Sequence, residues 1–138
     1  MPDNGNDRDV DCWMRRAAMI WVVTDDATTR GALTGLIRGK GYKADGIECG
    51  DEVVKRLRFQ MMALAVIDCS LPDSFELIGK IRAEPRTRSV PVILFTRADE
   101  NLREKALLKG ADAYVPRGSL DWLELLAEIQ RFAGPAKD

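Results

Sequence analysis

The chain has 138 residues, about one domain, with 46% hydrophobic and 31% charged residues and a formal net charge of −1. It contains no histidine, which excludes a Ser-His-Asp triad, a histidine general base and a histidine-containing zinc site. The balanced charge argues against a nucleic-acid footprint. The three cysteines, Cys12, Cys49 and Cys69, are too few and too scattered for a disulfide framework or a four-cysteine zinc centre, which points to a reducing cytoplasm.

Residues 1–11 are polar, acidic and Gly/Pro-containing, and a disordered tail is expected over 1–16. The apolar runs at 17–23 and 61–67 fall far short of the ~20 residues that span a bilayer, so no membrane segment is expected. A first strand is predicted at 19–23. A helix follows, with Ala32, Leu33, Leu36 and Ile37 on one face. A weaker strand at 42–47 carries Lys43, Asp45 and Gly46, which suits a sheet edge. Val53, Val54 and Leu57 give a short helical face, and 62–67 reads as a third strand. Phe75, Leu77, Ile78 and Ile81 mark the next helix, and 90–95 a fourth strand. Leu102, Ala106 and Leu107 mark a helix that stops at a Gly110 cap. A fifth strand at 113–115 precedes a helix with Leu123, Leu126 and Ile129 on one face and Ser119 as its N-cap. Residues 135–138 read as a frayed end, which leaves a single domain over 17–134.

Strands alternating with helices mean a parallel sheet covered on both faces. Five such repeats fit a doubly wound, flavodoxin-like α/β domain. Sheets of this kind bind ligands beyond the carboxyl ends of their strands. Asp25 and Asp26 follow the first strand, Asp68 ends the third, Thr96 ends the fourth and Arg117 follows the fifth. Acids, a hydroxyl and a cation therefore meet at one rim. The plainer explanation, that strand-end loops are polar anyway, accounts for any one of them better than for all.

These residues sit in recognisable surroundings. Val22-Val23-Thr24-Asp25-Asp26 resembles the acidic turn of two-component response regulator receiver domains, chemotaxis regulators among them. Ile67-Asp68-Cys69-Ser70-Leu71-Pro72 resembles their phosphoacceptor strand. Pro91-Val92-Ile93-Leu94-Phe95-Thr96 resembles their fourth strand, and Gly110-Ala111-Asp112-Ala113-Tyr114-Val115 the strand before the site lysine. The resemblance implies strand order 2-1-3-4-5 with five flanking helices. It implies Asp68 as phosphoacceptor, Mg²⁺ bound by Asp25, Asp68 and the Ser70 backbone carbonyl, Thr96 and Arg117 contacting the phosphoryl group, and Thr96 with Tyr114 as the switch.

The match has departures. The family usually has two consecutive acids where Thr24 and Asp25 stand. Asp26 replaces the missing ligand only if the turn shifts by one residue; otherwise it caps the first helix. Arg117 stands for the site lysine, with Gly118 after it, and a planar guanidinium is not a compact ammonium. Arg97 follows Thr96 where the family prefers a small residue. The loop after Pro72 is shorter than usual for the family and lacks its Asp-Gly. Fewer carboxylates and more cations predict Mg²⁺ binding that is weak or absent. Cys69 is expected to be an inert small hydrophobe rather than a redox group. Trp21 and Trp122 are read as core or helix-face residues, and Lys55, Arg56, Arg58, Lys80 and Arg82 as solvated helix faces.

The resemblance implies a stand-alone cytoplasmic receiver in a phosphorelay. It would be phosphorylated by a histidine kinase or phosphotransfer protein and read by a downstream protein, with no nucleic acid or membrane involved. The alternative is a phosphorylation-independent pseudo-receiver, an interaction module on the same fold. An enzyme is disfavoured. Ser70 stands where an aspartyl phosphatase would want a second Asp, and no P-loop or dinucleotide glycine motif follows a strand.

Overall fold

The first strand, β1 (Met19–Thr24), buries Ile20, Trp21, Val22 and Val23 alike. A strand apolar on both sides needs cover on both faces of its sheet. The structure, a computed structural model, describes residues 18–57, 59–117 and 122–134. After β1 come α1 (Ala27–Gly39), β2 (Ala44–Ile47), α2 (Asp51–Arg56), β3 (Met62–Asp68) and α3 (Leu71–Ala83). Then follow β4 (Val92–Thr96), α4 (Glu100–Lys109), β5 (Ala113–Pro116) and α5 (Trp122–Ala133). The strands are parallel, in the order β2-β1-β3-β4-β5. This is the flavodoxin-like arrangement expected, with β2 at the edge. Gly46 has a steric reason within β2: a Cβ there would lie 2.6 Å from the Arg30 side chain. The tail 1–16, Arg58, the Ser119 cap and residues 135–138 lie outside the described residues.

Alternation along the strands sends successive side chains into two cores. Trp21, Val23, Ile67 and Leu94 pack with Ile78, Ile81 and Leu102 under α2, α3 and α4. Ile20, Val22, Ile93 and Phe95 pack with Leu33, Leu125 and Ile129 under α1 and α5. Trp21 is buried and Trp122 packs at the edge of the second core. Asp26 caps α1 by accepting from Thr28 N at 3.1 Å, and Gly110 ends α4 with φ 112°.

Several expected faces are corrected. Ala32 is exposed, and α1 instead buries Thr29, Leu33, Thr34 and Ile37. Leu107 is 49% exposed and Leu123 77% exposed. In α4 only Leu102 and Ala106 are buried. In α5 the inward face is Leu125 and Ile129, flanked by Trp122, Leu126 and Phe132. A helix turning 100° per residue carries 122, 125, 129 and 132 along one stripe and leaves 123 outside it.

Arg82 is not a solvated charge. Its guanidinium donates to Gly110 O at 3.0 and 2.8 Å, Val90 O at 2.7 Å, Arg88 O at 2.9 Å and Asp112 Oδ2 at 2.7 Å. It joins α3 to the loops entering β4 and β5. Arg82→Ala leaves several of these acceptors unpaired, and a loss of about 2 kcal/mol is expected from the urea midpoint. A change below ~0.5 kcal/mol would mean that water replaces these bonds at no cost. Arg56 is likewise tied down, to Asp45 at 2.7 Å and Glu52 at 2.9 Å.

Candidate functional site

The sheet reverses its winding between β1 and β3, where a crevice forms at the strands' carboxyl ends. Thr24 and Asp68 end these strands as register partners. The Thr24 hydroxyl donates to Asp68 Oδ2 at 3.3 Å. Arg117 leaves β5 and reaches the same oxygen, with Nη1 at 2.6 Å. Its Nη2 donates to Thr29 Oγ1 at 2.8 Å and lies 3.6 Å from Asp26 Oδ2. The guanidinium also sits 5.9 Å from the centre of the Phe95 ring. Both hydrogen bonds to Asp68 fall on Oδ2, so Oδ1 has no hydrogen-bond partner among the described residues.

The Asp68 side chain is 11% exposed. Burial raises its pKa above the ordinary carboxylate value, against the opposite pulls of Arg117 and the Thr24 hydrogen bond. Asp26 is shifted the other way, chiefly by the Thr29 hydroxyl, which donates to its Oδ2 at 2.7 Å. The cap reading of Asp26 therefore holds, and its carboxylate also faces Arg117.

Asp25 does not join this group. Its Oδ1 accepts from the Cys49 backbone N–H at 3.1 Å, across the mouth of the β2–α2 loop. Cys49 is in turn disulfide-bonded to Cys69, with Cα atoms 6.0 Å apart. This corrects the expectation that the cysteines are scattered and that Cys69 is inert. The two are 20 residues apart in sequence. They meet because β2 and β3, which flank β1, each turn back at the same end of the sheet.

Only Cys69 and Ser70 separate β3 from α3, so the loop expected after Pro72 lies before it, and Pro72 sits in the first turn of α3, where its missing N–H costs nothing. Ser74 Oγ accepts from Cys69 N at 3.1 Å and donates to Cys69 O at 3.2 Å, which fixes this short turn. The Ser70 carbonyl accepts from Ser74 N at 2.7 Å as the first bond of α3. Thr96 is buried at the end of β4, and its carbonyl accepts from Arg117 N. Tyr114 is buried away from Asp68. Its hydroxyl donates to the Arg97 carbonyl and accepts from Asp99 N at 3.0 Å. The Arg97 side chain is exposed.

Sequence reasoning missed two members of the site. Thr29 had a local signal, since it lies one turn from the Asp26 cap. Cys49 had none, because only the tertiary meeting of two loops places it beside Asp25.

The family described as "Response regulator receiver domain" matches residues 20–130. The chain belongs to this family. The receiver is 32% identical to the phosphate regulon transcriptional regulatory protein PhoB of Rhizobium meliloti over 86% of this chain and 53% of that protein. It thus spans about half the length of that relative. It is 33% identical to an uncharacterised 14.6 kDa protein of Leptolyngbya boryana, over 82% of this chain and 88% of the other. The receiver domain of the sensor histidine kinase PA1611 from Pseudomonas aeruginosa superposes with a TM-score of 0.74 at 27% identity, over 86% of this chain and 98% of that one. That structure holds a magnesium ion in its active-site cleft. The response regulator TrrA of Thermotoga maritima, in complex with Mg²⁺ and beryllofluoride, gives 0.71 at 27% identity over 83% and 98%. Among the described residues of the receiver no helix is long and apolar enough to cross a membrane.

Proposed function

We propose that the chain is a stand-alone, cytoplasmic signalling receiver rather than an enzyme, and that Asp68 accepts a phosphoryl group from a histidine kinase or phosphotransfer protein. The observation that carries this reading is the Asp68 carboxylate, anchored through Oδ2 by Thr24 and Arg117, with Oδ1 left without a hydrogen-bond partner among the described residues. Oδ1 attacks the phosphorus of the phosphohistidine. The phosphorus–nitrogen bond breaks, its electron pair stays on the imidazole nitrogen, and that nitrogen takes up a proton. Arg117 offsets the charge of the bound phosphoryl group, and the Thr96 hydroxyl is its second contact. Tyr114 is the proposed switch, because it is tied to the loop after Thr96. The output is contact with a downstream protein through α4, β5 and α5, where Leu108 is 81% exposed. The stand-alone part of the reading rests on the Leptolyngbya relative, matched over 88% of its length.

As arranged, these residues do not fit a resident Mg²⁺ ion. Asp25 is held by the Cys49 amide, Asp68 Oδ2 already carries a guanidinium, and Thr24 replaces a carboxylate. Among the described residues no group of three or more acidic, cysteine or histidine side chains could hold a metal. Weak or absent Mg²⁺ binding is therefore part of the proposal. The same Arg117 contact favours a second reading, the phosphorylation-independent pseudo-receiver, in which the ion pair permanently fills the site.

Intact mass after incubation with acetyl phosphate, with and without Mg²⁺, separates the two. An adduct in the wild type and none in Asp68→Asn is expected. A folded wild type that gains no phosphoryl group from acetyl phosphate or phosphoramidate would overturn the first reading in favour of the second.

A further inference from the structure

The hydrogen bonds around Asp68 close into a ring. The Asp26 backbone N–H donates to Thr24 Oγ1 at 3.2 Å, and the Thr24 hydroxyl donates to Asp68 Oδ2 at 3.3 Å. Arg117 Nη1 donates to the same oxygen at 2.6 Å, and its Nη2 donates to Thr29 Oγ1 at 2.8 Å. The Thr29 hydroxyl completes the ring by donating to Asp26 Oδ2 at 2.7 Å.

The ring has a direction. A threonine hydroxyl has a single proton, and that of Thr29 is committed to Asp26, so toward Arg117 the oxygen acts only as an acceptor. Asp26 is fixed in turn, because its Oδ1 accepts from Thr28 N at 3.1 Å as the cap of α1. The Thr29 hydroxyl also lowers the pKa of Asp26, which keeps it an anion 3.6 Å from Arg117 Nη2. Thr29 is buried, and the Phe95 ring centre lies 5.9 Å from the guanidinium carbon. The cation is therefore set in one orientation against Asp68. A guanidinium has five N–H donors, and beyond these two bonds the Arg117 side chain donates no other hydrogen bond among the described residues. Further donors thus remain for phosphoryl oxygens.

We infer that phosphoryl transfer to Asp68 needs no divalent ion, because Arg117, held by the positioning residues Thr29 and Asp26, is the permanent cation of the site. The inference rests on the reading of Asp68 as phosphoacceptor and adds which group carries the charge there. With acetyl phosphate as donor, Asp68 Oδ1 attacks the phosphorus and forms the new oxygen–phosphorus bond. The bond from phosphorus to the acetyl oxygen breaks, and its electron pair leaves on acetate. No proton is gained or lost. Charge on the phosphoryl oxygens is stabilised by a cation already in place, which requires no reorganisation during the reaction. A metal has no comparable seat. Thr24 is neutral where the family has an acid, and Asp25 accepts from the Cys49 amide at 3.1 Å. Thr29 and Asp26 act only through Arg117.

The test follows adduct formation over time by intact mass, on the full chain with acetyl phosphate, in excess Mg²⁺ and in a chelator. Equal rates are expected. An adduct that forms only with Mg²⁺ would overturn the inference and leave the phosphoacceptor reading standing. No adduct in either condition would overturn the phosphoacceptor reading and the inference with it. Arg117→Ala is expected to slow the reaction in chelator about a hundredfold. Thr29→Val, which removes the acceptor and keeps the shape, is expected to slow it about tenfold. Mg²⁺ should not repair that loss, whereas Thr29→Ser, which keeps the hydroxyl, should restore the rate. Circular dichroism checks that each variant is folded, and Thr29→Ser with Arg117→Ala keeps the question open to test if Thr29→Val is not. A wild-type rate in chelator for folded Arg117→Ala would overturn the inference. The same rate for folded Thr29→Val, or no recovery in Thr29→Ser, would overturn the positioning role.

Discussion

Cys49→Ser is expected to lower the unfolding free energy by about 3 kcal/mol relative to the oxidised protein. The bridge closes a loop between residues 20 apart, and constraining that loop removes entropy from the unfolded chain. In a chain of this length the corresponding fall in melting temperature is about 10 °C. Scanning calorimetry with and without reductant reads it directly. The reduced wild type should melt with the serine variant. A difference below about 2 °C between oxidised and reduced protein would mean that the bridge constrains little. The fold itself should survive, because both cores form without the sulfurs. Ile78, Ile81 and Leu94 on one face and Leu33, Phe95 and Ile129 on the other remain buried.

The architecture was legible because its signals are local. Four adjacent buried residues in β1, and short Val/Ile-rich runs at β3 and β4, cannot be half-exposed strands. Caps at Asp26 and Gly110 are equally local. The carboxyl-end rule brings Asp68 and Arg117 to one rim from the sequence alone. What stayed hidden depends on which loops meet. Asp25 looked like a ligand, yet the nearest donor to it is an amide that comes from residue 49. Arg82 looked like an ordinary helix-surface charge, since nothing in its neighbourhood announces the carbonyls of residues 88, 90 and 110. The helix faces erred for a different reason. Leu107 follows Ala106 by one residue, about 100° further round the helix, which takes it off the narrow stripe of Leu102 and Ala106. In α5 the leucines at 123, 125 and 126 offer two faces, and Trp122 with Phe132 decides between them.

Arg117→Ala is expected to tighten Mn²⁺ binding by about a hundredfold. Two unit charges 4 Å apart interact by about 4 kcal/mol in the dielectric of a partly exposed protein site. The guanidinium lies 2.6 Å from Asp68 Oδ2 and is 38% exposed, so solvent and salt reduce the repulsion it exerts on a cation beside that carboxylate. The remaining effect, about 2.7 kcal/mol, corresponds to the hundredfold change. Arg117→Lys should fall between, since lysine keeps the charge and gives up the fork that spans Asp68 and Thr29. Unchanged affinity in Arg117→Ala would remove the ion pair as the reason the cation site is incomplete. The two restraints act on different carboxylates, Arg117 on Asp68 and the Cys49 amide on Asp25.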